Sequence, residues 1–279
     1  MSTDQPTEGR PRPLSVLREA LRDAQSDAEL EALIEVFSGD SRAGARALET
    51  RARGRLEGAR SERERLSGLL ALRDEMAGRG VRGIAGVDEV GVGPLAGPVV
   101  AGAVVLPARV ELYGIDDSKR VRPALRRTLA RDIREIAIGV GIGEVSVEEI
   151  DQIGIYQAAL EAMRRAVASL ARTTEVGHLL VDARTVPGVT LPQTSIVKGD
   201  QKDASIAAAS IVAKVHRDTH MESLARRYPA YGFERHMGYG TALHMEALER
   251  YGPCPIHRRS FAPVENAERR AMKHLPTYG

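Results

Sequence analysis

The sequence predicts an α/β protein with a central mixed β-sheet flanked by helices and an added N-terminal helical extension. Three observations support this class. Short β-branched runs cluster between residues 84 and 145, long helical stretches follow them, and apolar residues recur at helical spacing before residue 80. The 279 residues, of which 43% are hydrophobic and 28% charged, suffice for one large domain with an appendage.

The first 79 residues predict a tail and a helical extension. Residues 1–13 are polar and contain prolines, which predicts a disordered tail. Residues 14–79 predict helices from the spacing of their apolar residues. The arginine-rich stretch over residues 42–76 is either a solvated helix or a helix that faces phosphates.

At residue 80 the composition changes to glycine, valine and alanine. Residues 80–265 predict the α/β domain, and residues 266–279 predict a C-terminal tail. The predicted strands are 84–87, 99–106, 137–145 and 179–182, and the predicted helices are 123–136, 148–171, 202–228 and 241–251.

Composition excludes several classes of protein. Cys254 is the only cysteine, which rules out an intrachain disulfide and a zinc site built from several thiolates, and predicts a cytoplasmic protein. No apolar run of about 18 residues occurs, so no membrane span is predicted. The net charge of +2 neither requires nor excludes a polyanionic partner.

Acidic residues stand at the ends of predicted strands. Asp88 and Glu89 follow one strand, Asp182 ends another, and Asp200 precedes the long helix. Carboxylates gathered at one edge of a sheet repel one another unless a cation is present, and oxygen ligands favour Mg²⁺ or Mn²⁺. Two such ions can activate water for phosphodiester hydrolysis. Taken singly, each acid is also typical of a helix cap or a turn.

Four further segments are candidates for ligand binding, each with a plainer alternative. Residues 91–98 are glycine-rich and could bring backbone amides to a ligand, or could form a tight turn between strands. Residues 117–120 could hold a phosphate but are uninformative alone. Residues 231–241 contain Tyr239, which could stack on a sugar or base or cover the core. Residues 257–261 form a basic cluster or a solvated turn.

Taken in order, these segments resemble the ribonuclease HII family from about Ile84 to Val264. Five or more collinear motifs are far more specific than any one of them. The matching motifs are Ala85-Gly86-Val87-Asp88-Glu89, Gly93-Pro94-Leu95-Ala96-Gly97-Pro98-Val99, Asp117-Ser118-Lys119, Lys198-Gly199-Asp200, the run from Ser205 to Val215, and Gly238-Tyr239-Gly240-Thr241.

The resemblance implies an RNase H-like fold and an endonuclease. Such an enzyme cuts the RNA strand of RNA–DNA hybrids and incises on the 5′ side of ribonucleotides in duplex DNA, leaving 3′-hydroxyl and 5′-phosphate ends. The resemblance implies that Asp88, Glu89, Asp182 and Asp200 are catalytic and bind Mn²⁺ or Mg²⁺. We also expect a cytoplasmic protein that acts in DNA replication and repair and has no membrane partner. Nothing in the sequence suggests more than a monomer.

The resemblance also assigns substrate contacts. The turn Gly91-Val92-Gly93 would read the 2′-hydroxyl, largely through backbone groups, and this hydroxyl is the atom that separates RNA from DNA. Ser118 and Lys119 would contact phosphates. Tyr239 would pack on the deoxyribose next to the junction.

The extension over residues 14–79 resembles one found in some bacterial members, most closely in residues 40–44. There it looks like a substrate-binding aid, which fits the arginine-rich helix. A structural arm that packs on the catalytic domain is equally compatible with the sequence. A protein-interaction module is a further alternative.

Four positions depart from the family pattern. Val92 stands where arginine is usual, Met237 where lysine is usual, Gly154 where asparagine is common, and Val90 where alanine is common. Valine cannot grip a phosphate as arginine does, although a backbone contact at residue 92 survives. We therefore expect a working enzyme with altered affinity. The alternative is a divergent paralogue that binds hybrids but cuts them weakly or not at all.

Overall fold

The computed structural model describes residues 12–273, with backbone alone for residues 271–273. The predicted disordered tail therefore lies outside the described residues except for Arg12 and Pro13. The helices and strands follow in the order α1 (Leu14–Asp23), α2 (Asp27–Ser38), α3 (Ala43–Gly78), β1 (Ile84–Val90), β2 (Val99–Val105), α4 (Pro123–Ile136), β3 (Gly139–Val145), α5 (Val147–Ile153), α6 (Ile155–Leu170), β4 (His178–Asp182), β5 (Gln193–Ile196), α7 (Ala204–Arg227), α8 (Phe233–His236), α9 (Ala242–Tyr251) and α10 (Ala262–Lys273).

The chain divides into two compact units within α3, between Arg65 and Leu66. The first unit contains α1, α2 and the start of α3 and has its own apolar core, which confirms the predicted helical N-terminus. Helix α2 begins at a capping box, in which Ser26 and Glu29 each accept a hydrogen bond from the other's main-chain amide. The core residues are Leu17, Leu21, Ala24, Leu30, Ile34, Phe37, Leu48, Ala52 and Leu56.

Part of the arginine-rich run is engaged inside this first unit. Arg60 pairs with Glu31, and Arg63 pairs with Asp27. Arg55 donates to two main-chain carbonyls at the C-terminal end of α1. These contacts tie α3 to α1 and α2, so a structural role accounts for several of the basic residues.

The second unit contains a five-stranded sheet in the order β3-β2-β1-β4-β5. Strand β1 pairs antiparallel with β2 and parallel with β4, and β5 is parallel to β4. The predicted mixed sheet is therefore confirmed. Because parallel strands end at the same edge, the C-terminal ends of β1, β4 and β5 lie side by side.

Helices cover both faces of this sheet. Ala101 and Ala103 of β2 join the core formed with α6, whereas Val104 joins the core formed with α4 and α7. Alternate residues of a strand face opposite sides, so α6 and α7 lie on opposite faces. Gly86 of β1 permits the close approach of α7, because a Cβ there would overlap the main chain of Ser205.

The C-terminal part of α3 belongs to the second unit. Leu66, Leu69 and Leu70 pack in the core with α4 and α7, and buried Arg73 donates to the carbonyl of Pro107. The contacts thus divide the chain earlier than the change in composition at residue 80. No helix within residues 12–273 is long and apolar enough to cross a membrane.

Three elements differ from their predicted extents. The predicted helix over 148–171 is two helices, because Gly154 at φ 78° interrupts it. Strand β5 has no sequence prediction, since Gln193–Ile196 carries no apolar run. Residue 266, where the predicted tail begins, lies inside α10, which Val264 anchors in the core.

Candidate active site

The four predicted carboxylates lie at neighbouring strand ends. Asp88 and Glu89 are in β1, Asp182 is the last residue of β4, and Asp200 is in the short 3-10 helix after β5. Oδ1 of Asp182 accepts a hydrogen bond of 2.6 Å from the amide of Gly199. This bond fixes the end of β4 to the turn that carries Asp200, so the sheet brings all four acids to one edge.

Protein donors engage several of these carboxylate oxygens. Oδ1 of Asp88 accepts from the amide of Glu89 at 2.8 Å, and Oε1 of Glu89 lies 3.5 Å from Nη2 of Arg184. Among the residues that the structure describes, no three acidic, histidine or cysteine side chains converge as a ready set of ligands for one ion.

The acids raise one another's pKa values. Burial raises the pKa of Asp88 well above its ordinary value, and the charge of Glu89 raises it further. Burial also raises the pKa of Glu89, although nearby Arg184 opposes the shift. The pKa of Asp200 is raised to about 6 by burial and then by the charge of Asp117. Negative charge at this edge is therefore only partly compensated.

The chemistry of this donor set fits a divalent cation. Oε2 of Glu89 is buried and has no hydrogen-bond partner within residues 12–273. Leaving a buried carboxylate oxygen without a donor or cation is unfavourable. Hard cations such as Mg²⁺ and Mn²⁺ bind carboxylate oxygens. Such a cation would give Oε2 of Glu89 a partner and would offset the mutual repulsion of the acids.

The predicted phosphate-binding loop lies beside these acids. Buried Asp117 accepts from the amide of Lys119 at 2.9 Å, and its Oδ2 lies 3.4 Å from Nε2 of Gln201. The hydroxyl of Ser118 is also buried and accepts from Ser210 of α7 at 2.9 Å. Burial lowers the pKa of Lys119, but the charges of the neighbouring carboxylates, of which Asp117 has the largest effect, raise it above its ordinary value. Lys119 and Arg120 are the exposed cations of this loop, and Arg120 lies 3.3 Å from a carboxylate oxygen of Asp116.

Two buried arginines hold the glycine-rich turn from the inside. Gly91 adopts a φ of 90°, and a Cβ there would overlap the side chain of Arg217. Neither Arg217 nor Arg258 forms an ion pair with any residue that the structure describes, and both donate to main-chain carbonyls instead. The acceptors are the carbonyls of Gly91, Val92, Gly97 and Pro98 for Arg258, and of Ala96, Pro98 and Met237 for Arg217.

The basic cluster over residues 257–261 is accordingly not a solvated turn throughout. His257 and Arg258 are buried, whereas Arg259 and Ser260 are exposed. The carbonyls of Gly91 and Val92 bind Arg258, and further along the segment the amides of Leu95 and Gly97 donate to the carbonyls of Gly238 and Ile256. Gly93 lies beside the ring of Tyr239, since a Cβ there would be 3.8 Å from Cε1 of the tyrosine.

A chain of buried histidines supports Tyr239, whose side chain is exposed. Nδ1 of His244 lies 2.9 Å from the carbonyl of Tyr239, and Nε2 of His244 lies 3.0 Å from Nε2 of His257. The amide of Cys254 donates to Nδ1 of His257 at 3.0 Å. The carbonyl of Tyr239 can only accept a hydrogen bond, and the amide of Cys254 can only donate one. His244 therefore donates to Tyr239, and His257 donates to His244. Burial lowers the pKa of His257 to about 4, so this ring is neutral at pH 7.

Sequence reasoning missed three of the cations that shape this site. Arg184 has no motif around it, and Arg217 lies in a long helix where arginine ordinarily faces solvent. Arg258 belongs to the basic cluster, but nothing in the sequence indicates that it is buried. The only parts of this site that the sequence indicated were the acids with the glycine-rich segment after them, residues 88–98, and the basic loop over residues 117–120.

A mixed sheet with carboxylates at its parallel strand ends, a glycine-rich turn and a lysine-bearing loop defines the class of RNase H-like nucleases. A solved structure supports the fold. The ribonuclease H2 from Pyrococcus horikoshii OT3 superimposes with a TM-score of 0.58 and 28% identity, over 68% of this chain and 99% of that chain.

The family model described as Ribonuclease HII matches residues 85–264. The chain is 52% identical to the Ribonuclease HII of Geobacillus thermodenitrificans (strain NG80-2) over 233 residues, which cover 84% of this chain and 89% of that protein. It is 51% identical to the Ribonuclease HII of Myxococcus xanthus (strain DK1622) over 236 residues, covering 84% of this chain and 80% of that protein. The chain belongs to the ribonuclease HII family, as the motifs predict.

Proposed function

We propose that this protein is an endoribonuclease that hydrolyses the RNA strand of RNA–DNA hybrids and incises 5′ of ribonucleotides embedded in duplex DNA. The observation that carries the proposal is the cluster of Asp88, Glu89, Asp182 and Asp200 at one sheet edge, where charge is only partly compensated. Membership of the ribonuclease HII family supports the activity. No observation favours the divergent, non-cleaving alternative.

In this proposal Asp88, Glu89, Asp182 and Asp200 hold Mg²⁺ or Mn²⁺. When bound, such ions activate water and stabilise the leaving oxygen of the phosphodiester. The carboxylates position the ions, and their burial keeps the electrostatic interactions strong. Oxygen ligands suit both metals, so either metal is expected to support cleavage.

Recognition of the RNA strand is assigned to the turn and loop beside these acids. The amides of the turn Gly91-Val92-Gly93 would contact the 2′-hydroxyl, because the carbonyls of Gly91 and Val92 already bind Arg258. Lys119 would bind a phosphate, since it is exposed and charged beside the carboxylates. Ser118 would act mainly by fixing that loop to α7, as its hydroxyl is buried. Tyr239 would stack on the sugar next to the junction.

The cellular assignment belongs to the same proposal. A substrate that arises in DNA supports a cytoplasmic role in replication and repair, and the single, buried Cys254 suits a reducing compartment. We keep residues 80–265 as the proposed catalytic domain and residues 14–79 as its extension, in a monomer. The pairing of Arg55, Arg60 and Arg63 inside the first unit gives these basic residues a structural role within the extension itself.

The test is cleavage of a labelled duplex that carries one ribonucleotide, with Mg²⁺, Mn²⁺ or EDTA. We expect incision on the 5′ side of the ribonucleotide with either metal and none with EDTA. The Asp88→Asn variant should not cut. Hybrid binding without metal-dependent incision by the native chain would contradict the proposal and support the divergent paralogue.

A further inference from the structure

Arg184 stands next to the carboxylates without being one of the assigned contacts. It lies two residues beyond Asp182, and Ala183 between them adopts a left-handed conformation with φ 49°. That conformation is uncommon for a residue with a Cβ and tends to persist where a site depends on it. Nη2 of Arg184 lies 3.5 Å from Oε1 of Glu89, which places the guanidinium at the edge of the site.

The guanidinium of Arg184 is only partly satisfied. Nη1 is buried and has no hydrogen-bond partner within residues 12–273, and the contact with Glu89 is longer than a normal hydrogen bond. Arg217 and Arg258, by contrast, place their guanidinium groups on main-chain carbonyls. A shielded cationic donor without an acceptor is unfavourable, so its retention points to an anionic ligand that supplies the acceptor.

An exposed aromatic ring lies beside this guanidinium. Tyr156, in the first turn of α6, has 59% of its surface exposed, and Cζ of Arg184 lies 5.0 Å from the centre of its ring. Tyr239 and Lys214 form a comparable aromatic–cation pair with 5.9 Å between ring centre and Nζ. A cation next to an exposed ring offers a phosphate ligand and a stacking surface for the sugar or base of the same nucleotide.

We propose that Tyr156 and Arg184 form a second sugar–phosphate binding site, which takes one nucleotide of the RNA strand on the Glu89 side of the active site. This inference rests on the proposed function and extends it to residues that no motif assigns. Nη1 of Arg184, which has no acceptor within residues 12–273, would supply the donor for the phosphate of that nucleotide. A charge-assisted arginine–phosphate contact of this kind does not depend on a bound metal.

The experiment measures binding of labelled RNA–DNA hybrids to the full-length chain in EDTA, which prevents cleavage. A set of hybrids carries one uncharged methylphosphonate at each RNA position in turn. Binding of each hybrid is compared for the native chain, Arg184→Met, and Arg131→Met. Arg131 is an exposed arginine of α4 that pairs with Asp132 and serves as the matched control.

We expect Arg184→Met to weaken binding of the unmodified hybrid by about tenfold, the effect of one charge-assisted contact. One methylphosphonate position should weaken binding to the native chain and to Arg131→Met, but not to Arg184→Met. Equal losses in all three proteins at every position would overturn the proposal. A native chain that binds hybrids normally but cuts none would instead contradict the proposed function alone.

Tyr156 gives a test that does not disturb Glu89. We expect Tyr156→Ala to weaken hybrid binding by about fivefold, the lower range for loss of a stacking ring. Tyr156→Phe keeps the ring and should bind as the native chain does. Because this side chain is exposed, the variants should fold even if Arg184→Met does not. Equal affinity of Tyr156→Ala and Tyr156→Phe would reject the stacking role and, with it, the site.

Discussion

The second unit contains two groups of buried charged side chains, a pair of acids and a pair of arginines, and the two groups differ in how far hydrogen bonds satisfy them. Asp88 and Glu89 repel each other, and Oε2 of Glu89 has no partner within the described residues. Arg217 and Arg258 are at least as deeply buried, yet main-chain carbonyls accept their donors. Satisfied charge of this kind holds a structure together, whereas unsatisfied charge indicates a binding site.

The two groups also act on the same ligand by different routes. The acids would bind cations directly, while the arginines fix the turn that is proposed to contact the RNA strand. Removing an acid should therefore abolish the reaction and spare the fold. Removing an arginine should damage the fold first.

The largest effect is expected for Asp88→Asn. Loss of a metal-binding carboxylate should reduce the cleavage rate on the order of 10³-fold or more. Thermal unfolding in EDTA should show equal or greater stability, because a buried repelling charge is removed. Glu148→Gln changes an exposed acid of α5 and should leave both measurements unchanged. A clear loss of stability in Asp88→Asn would show that this acid, like the two arginines, has a structural role.

Arg258→Met should produce the largest loss of stability. The variant leaves the carbonyls of Gly91, Val92, Gly97 and Pro98 without this donor, so the free energy of unfolding should fall by about 3 kcal/mol. Chemical denaturation measures the change. The neighbouring Arg259→Met alters an exposed ion pair and should stay within about 0.5 kcal/mol of the native chain. Equal stability of the two variants would contradict a structural role for Arg258.

Asp203 extends the comparison to a buried acid outside the site. Its Oδ1 caps α7, its Oδ2 has no partner among residues 12–273, and burial raises its pKa to about 6. The native state therefore keeps a proton that the unfolded chain loses near pH 4. Stability attributable to Asp203 should fall as the pH rises from about 4 to about 6, by about 3 kcal/mol, and stay low above that range.

Asp203→Asn keeps the capping oxygen and cannot ionise. Denaturation at several pH values should show that the variant lacks this component of the pH dependence and is more stable than the native chain at pH 7. Glu148→Gln changes an exposed acid of α5, provides the control and should leave the pH profile as it is. A native-like profile in Asp203→Asn would show that Asp203 does not hold a proton in the folded state.

The smallest effect on activity is expected for a change at Val92, which lies in the turn between the acids and the buried arginines. Val92→Arg restores a guanidinium on a turn whose backbone is already held by Arg258, so the kcat/KM for a hybrid should rise about fivefold, or ~1 kcal/mol. Val92→Met adds a side chain of comparable length without charge and should give no gain. Equal kcat/KM values for Val92→Arg and Val92→Met would show that the positive charge absent at residue 92 does not limit activity.

The carboxylate edge was predictable from the sequence in part. Asp88, Glu89 and Asp182 follow short runs of buried, mostly apolar residues, a pattern that the sequence shows directly. The position of Asp200 depends on β5, whose sequence Gln193–Ile196 lacks any apolar alternation because the strand is short and lies at the edge of the sheet. Its place before the long helix, rather than a recognisable strand end, grouped this acid with the others.

The arginine-held turn was not predictable. Arg217 and Arg258 become buried because carbonyls distant in the sequence surround them, and no local pattern reports such a long-range environment. The same limit applies to the break at Gly154, where one helical pattern covers two helices. Composition likewise gives no signal for the packing of Leu66, Leu69 and Leu70 in the core of the second unit, because these residues lie within an arginine-rich helical pattern.

The histidine chain beneath Tyr239 ends at Cys254, and this gives the protein an internal chemical reporter. The thiol is buried, lies 3.1 Å from Nδ1 of His257, and has a pKa that burial raises above its usual value. Thiolates, not thiols, react with alkylating reagents. Modification of Cys254 therefore proceeds only through opening of this region, and its rate reports how often the support of Tyr239 comes apart in the native enzyme.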